Sequence, residues 1–156
     1  MAEYSFTTVW ALEAPIERVW EAILDTKRWP EWWKGVERVD LLESGLANGI
    51  GKIERYVWKS RLPYELSFEM RTVEIRPPVE LRGVAAGELA GEGHWRLFRT
   101  RTGTVVRYDW NVATTAAWMN LLVPVARAAF EWNHDAVMGN GGEGLARLLD
   151  ARLLSG

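Results

Sequence analysis

Cysteine is absent from the 156 residues, which removes disulfides, thiol nucleophiles and Cys-ligated zinc and accords with a cytoplasmic location. Histidine is scarce. His94 and His134 are the only two, so a metal centre would have to recruit carboxylates from scattered positions, and neither a metal nor a cofactor is expected. Runs of like charge are missing as well, and 19 basic against 21 acidic residues leave a formal net charge of −2. That balance speaks against nucleic acid as a partner. There is no stretch of about 18 uncharged apolar residues and no basic-then-apolar leader at the N-terminus. No integral membrane segment is therefore expected. Nucleophile elbows, phosphate loops and dinucleotide fingerprints do not occur; the glycine run Gly139 to Gly144 follows a helical stretch, the wrong context for a phosphate site.

Tryptophan, in contrast, is abundant, with ten residues in the chain. Each indole brings a large apolar body and one N–H that needs a partner when buried. The densest cluster, Trp29-Pro30-Glu31-Trp32-Trp33, follows an amphipathic segment opened by Ala14-Pro15. Pro15 suits a helix start, and Ile16, Val19, Trp20, Ile23 and Leu24 fall on one face at helical spacing. Trp29 precedes a proline and is expected to leave the α conformation, so the first helix should end near Asp25 to Lys27 and a short second one begin at Pro30. A small helix carrying Trp32 and Trp33 either plugs a core or walls a pocket.

Alternation of period two marks the strands. Tyr4 to Glu13 is the first, Val36 to Leu42 the second and Lys52 to Ser60 the third, with Tyr56 and Trp58 on one face. A fourth begins at Pro63 and has the clearest pattern: Tyr64, Leu66, Phe68 and Met70 against Glu65, Ser67, Glu69 and Arg71. Pro77-Pro78 ends it. Leu81 to Gly87 and Glu88 to Arg99 are rich in glycine and alanine, which signals either bulges or space left on a concave face. Thr104 to Thr115 is the last, placing Arg107, Asp109 and Asn111 toward solvent. From about Ala116 the period becomes helical, with Val125, Ala128, Ala129, Trp132 and Ala136 on the presumed inner face and Phe130, Val137 and Leu148 on a second flank. Each helical glycine in Gly139 to Gly144 is unfavourable by about 1 kcal/mol relative to alanine. The helix either breaks there or needs its backbone close to a neighbour or ligand.

The order is α+β: one domain, residues 1–156, in which a curved antiparallel sheet of about seven strands grips a long C-terminal helix, with two short helices after the first strand. Ala14-Pro15 with Val19-Trp20, the Trp29-Pro30-x-Trp32-Trp33 segment, the Gly103-Thr104 turn and the terminal amphipathic helix resemble the START-like (SRPBCC) superfamily, a helix-grip fold, in its polyketide cyclase/dehydratase-like branch. The likeness spans essentially the whole chain. It implies a cavity between sheet and helix, but the superfamily mixes aromatase/cyclases with lipid and quinone carriers and receptors, so chemistry must come from the site.

The expected ligand-binding set is Trp10, Tyr56, Trp58, Tyr64, Phe68, Met70, Trp95, Tyr108, Trp110, Trp118 and Trp132, with Trp32 and Trp33 at the mouth. These rings suit an apolar small molecule such as a polyketide, quinone or lipid. By strand parity the inward polar groups are Tyr56, Tyr64, Tyr108, Thr8 and indole N–H groups, which orient a carbonyl better than they abstract a proton. His134 and Asp135 are further polar candidates, though adjacent helical residues diverge by about 100° and make no ordinary dyad. His94 should face outward if Trp95 faces in. A cofactor-independent cyclase, aromatase or dehydratase is the alternative, and it would need a charged group inside the cavity. A homodimer through Trp32, Trp33 and the Phe130, Val137, Leu148 flank is the third reading.

Overall fold

A computed structural model describes residues 3–59, 65–115 and 123–156. The chain runs β1 (Glu3–Leu12), α1 (Ile16–Leu24), a 3-10 turn (Thr26–Arg28), α2 (Trp29–Trp32), β2 (Val36–Glu43), β3 (Ile53–Lys59), β4 (Glu65–Arg76), β5 (Glu80–Gly87), β6 (Leu89–Arg99), β7 (Thr104–Thr114), α3 (Val123–Leu148) and β8 (Leu153–Ser155). The strands form one sheet in the order β2-β3-β4-β5-β6-β7-β1-β8. Successive hairpins build β2 to β7, and β1 closes onto β7 through ten paired positions from Glu3↔Ala113 to Leu12↔Thr104. The eighth strand is an addition to the expected seven. Three residues long, β8 pairs with Ala11 and Leu12, too short a segment for alternation to signal it.

One face of the sheet is polar, as the alternation requires. On it, Arg96 and Arg107 both bond Asp109, which also accepts from Thr7, and His94 Nε2 lies 2.6 Å from Glu80 Oε1. The other face carries Trp10, Leu12, Tyr56, Phe68, Trp95, Leu97, Val106 and Trp110, all buried. α1 contributes Ile16, Val19, Trp20 and Ile23 to the same core. Trp29 departs from expectation, since its φ of −52° and ψ of −40° are helical despite the following proline. Its buried indole N–H donates to the carbonyls of both Ala22 and Ile23, a tertiary anchorage that overrides the local steric preference.

α3 is continuous through the glycine run. A Cβ on Gly141 would come within 2.5 Å of the Trp33 ring, one on Gly142 within 2.9 Å of Trp10, and one on Gly144 would overlap the Trp32 carbonyl oxygen. The glycines thus let the helix backbone lie directly on three tryptophans. Their N–H groups reciprocate: Trp33 Nε1 donates to Val137 O at 2.8 Å and Trp10 Nε1 to Met138 O at 3.1 Å. This contact sets the rotation of α3, and it reverses the expected faces. Phe130, Val137 and Met138 are buried, whereas Trp132 is 49% exposed. The flank offered above as a dimer surface is accordingly mostly inside, and Trp32 and Trp33 are buried too.

Candidate functional site

The inner face of the sheet carries two adjoining cavities, here called lobes, one beside residues 24–29 and one beneath α3. The first, of about 60 Å³, is bounded by Thr26, Lys52, Glu54 and Tyr56 together with apolar side chains such as Leu24, Met70 and Ile75. The second, of about 80 Å³, is almost wholly apolar and lies against α3 at Phe130, Asn133, His134, Val137 and Met138. Trp29, Trp58, Phe68, Trp95 and Tyr108 border both. Their rings are mutually packed: Trp95 stacks on Tyr108 at 4.1 Å, and Trp33 meets Trp58 edge-on at 5.2 Å. Gly83 and Gly93 also face the first lobe. Their missing side chains make room for the Met70 methyl and the Tyr108 hydroxyl, so part of the vacated volume is filled by neighbours.

The polar lobe holds a carboxylate that parity reasoning overlooked. Glu54 is 3% exposed. Its Oε2 accepts from Thr26 Oγ1 at 2.6 Å, its Oε1 accepts from Tyr56 OH at 3.1 Å, and Lys52 Nζ stands 3.5 Å from Oε1. The signal was present in the chain, because residues 52, 54, 56 and 58 share one strand face. Burial, with the Glu54 charge beside it, pushes the Tyr56 phenol well above its ordinary value, and burial alone raises Tyr108. Both hydroxyls stay protonated near neutrality; the Tyr56 proton is committed to Glu54, and the Tyr108 hydroxyl is the one able to donate to a ligand oxygen. Trp58 Nε1 is buried and has no hydrogen-bond partner among the described residues.

The expected lining set divides. Tyr56, Trp58, Phe68, Met70, Trp95, Tyr108 and Trp110 border one lobe or both, as do Trp33 and His134. Trp10 borders neither, being sealed beneath α3, and Thr8 borders neither. Trp32 faces an outer groove with Arg18, Glu21 and Arg28 instead of a cavity mouth. Trp132 points away from the sheet because the glycine contact rotates α3, and Asp135 is 84% exposed at its side chain. Tyr64 and Trp118 lie outside the described residues. His94 is on the outer face, opposite Trp95. Among the described residues no cluster of three metal-ligating side chains occurs, and no helix is long and apolar enough to cross a membrane.

Solved structures share this fold at low identity. The aromatase/cyclase Zhui from Streptomyces sp. R1128 superposes with a TM-score of 0.75 at 17% identity, covering 96% of this chain and 93% of that one. A START superfamily protein from Mycobacterium smegmatis gives 0.69 at 11% identity over 95% and 97% of the two chains. The di-domain ARO/CYC BexL from the BE-7585A biosynthetic pathway gives 0.76 at 18% identity; 96% of this chain is covered, but it spans about half (51%) of that protein. No curated protein matches the sequence. A family model does match, over residues 3–147, and by that match the chain belongs to the family described as polyketide cyclase/dehydrase and lipid transport.

Proposed function

We propose that the protein binds a mostly apolar, ring-bearing small molecule at the two adjoining lobes on the inner face of the sheet. The observation that carries this reading is the shared wall, in which Trp29, Trp58, Phe68, Trp95 and Tyr108 border both lobes. Flat aromatic walls with a few polar groups suit such ligands. Size sets a condition. The lobes, about 60 and 80 Å³, are each smaller than the roughly 150 Å³ of a single cavity that admits benzene, so a ring, and still more a polyketide, quinone or acyl chain, requires the walls to part. The family description and the aromatase/cyclases among the structural neighbours support ligands of this kind.

Native mass spectrometry on protein purified gently from its own host, followed by extraction, tests the reading. A defined apolar compound near one equivalent is the expected result. Trp58→Ala, which opens the shared wall, should then weaken that compound about tenfold or more. An empty protein that also refuses phenols, quinones, polyketides and fatty acids would overturn the proposal.

A second reading, cofactor-independent cyclisation or dehydration, is favoured by Glu54, a buried carboxylate bordering the polar lobe. A proton-transfer role needs such a group within reach of substrate. Arg55, Glu69, Arg71 and Asp109, charged residues of β3, β4 and β7, border neither lobe. Glu54→Gln separates the readings, since loss of turnover with binding retained supports catalysis, and unchanged turnover excludes Glu54 from it.

A further inference from the structure

The two charges that pair across the polar lobe are held very differently. Glu54 is fixed: its carboxylate is buried, Oε2 accepts from Thr26 Oγ1 at 2.6 Å, and Oε1 accepts from Tyr56 OH at 3.1 Å. Both of those partners are neutral, so they orient the carboxylate without cancelling its charge. Among the described residues the countercharge comes from Lys52 alone, whose Nζ stands 3.5 Å from Oε1. That is longer than the about 2.8 Å of a close charge-assisted bond. Lys52 also keeps 24% of its side chain exposed, against 4% for Glu54. The lysine can turn out to water and the carboxylate cannot. Arg82, the third charged residue on the lobe, is engaged by Glu74 and Glu92.

The rest of the lobe suits a cation arriving in place of Lys52. Trp29, Tyr56, Trp58, Phe68, Trp95 and Tyr108 border it, and aromatic ring faces attract ammonium groups, more strongly once water is excluded. Helix α1 ends at Leu24, also on the lobe, and the C-terminal end of a helix is its negative end. An anion would meet the Glu54 carboxylate. A neutral ligand gains nothing from that charge and leaves Lys52 where it is.

We propose that the polar lobe is an ammonium site, in which the charged amine of a small, otherwise apolar ligand takes the place of Lys52 beside Glu54. This rests on the binding reading above and specifies the charge of the ligand's polar end. The ligand is a free amine, since a phospholipid headgroup would bring its phosphate beside the same carboxylate.

Benzylamine, a cation near neutrality, and benzyl alcohol are nearly the same shape, so they serve as probes. Each is titrated by tryptophan fluorescence into the wild type, Lys52→Met and Glu54→Gln. Benzylamine should bind the wild type about tenfold tighter than the alcohol, the size of one charge-assisted hydrogen bond. Lys52→Met removes the competing ammonium and keeps most of the side-chain volume, and it should raise that ratio about tenfold further. Glu54→Gln should bring the ratio close to one. Lys52→Met also strands the carboxylate, so its melting temperature should fall and be restored by benzylamine and not by the alcohol. If both probes bind but the ratio is near one in the wild type and in Lys52→Met, the ammonium site is overturned and the cavity reading survives. A preference for the amine that outlasts Glu54→Gln overturns it too, by placing the amine elsewhere. If neither probe binds, the site is overturned and extraction from the host decides the cavity reading separately. Should one variant fail to fold, the wild-type ratio and the other variant decide.

Discussion

The two halves of α3 meet the sheet side of the molecule in opposite ways. In the C-terminal half, Gly141, Gly142 and Gly144 bring bare backbone onto Trp33, Trp10 and the Trp32 carbonyl, and the indoles return hydrogen bonds to Val137 and Met138. In the N-terminal half, Phe130 and His134 lean on Tyr4 and Phe6 of β1, and a cavity remains between the helix and the aromatic residues of β3 to β7. The same residue type plays both parts. Trp10, whose N–H is satisfied by a helix carbonyl and which borders neither lobe, belongs to the core, whereas Trp58, with its Nε1 unpartnered among the described residues, borders both lobes.

The largest test of that division compares two truncations. Trp10→Ala removes a ring that is 1% exposed and should lower unfolding free energy by about 3–5 kcal/mol. Trp58→Ala removes a half-buried ring that already borders empty volume and should lower it by less than half as much. Urea denaturation of both variants checks this, and equal losses would erase the distinction between core and wall.

The next effect concerns pH. His134 has its pKa lowered by burial from 6.5 to about 4. Between those values the unfolded chain takes up a proton that the native state does not, so stability falls as pH drops from 6.5 toward 4, by up to about 3 kcal/mol. Glu80, held low by its bond from His94, and Asp109, held low against its burial by Thr7, Arg96 and Arg107, lose their contributions only below the ordinary carboxylate range. Thermal melts at pH 6.5 and 5 should therefore differ in the wild type and much less in His134→Phe. A slope that survives the substitution would place its source elsewhere.

Alternation made the sheet legible, above all in the first half of β4, where Leu66, Phe68 and Met70 alternate with polar residues and do reach the cavities. The rotation of α3 was not legible. Alanines on one side and Phe130 and Val137 on another made several faces comparably apolar, and the decision fell to glycines, whose role depends on what approaches them. Glu54 was hidden by the habit of placing charge outside. Its parity with Tyr56 and Trp58 pointed inward, and three polar neighbours, one of them on the distant Thr26 turn, make that burial tolerable. Trp132 shows the consequence: its spacing points to the inner face, and the glycine contacts turn it outward.

The smallest effect sharpens the contrast inside the glycine run itself. Alanine at any helical glycine gains about 1 kcal/mol of intrinsic helix propensity, so only the surroundings differ between sites. At Gly144 the new methyl would overlap the Trp32 carbonyl oxygen, and because that atom is backbone the clash can be relieved only by shifting α2 or α3. Overpacking of this kind is unfavourable by roughly 1–3 kcal/mol, so Gly144→Ala should be net destabilising. At Gly139 nothing lies within 4 Å of the added Cβ, and the φ there is not positive. Gly139→Ala should raise stability by about 0.5–1 kcal/mol. Chemical denaturation of the two variants reads opposite signs if α3 is seated by close contact at one glycine and free at the other; the same sign at both would mean that propensity alone governs the run and that the helix is not pressed onto Trp32.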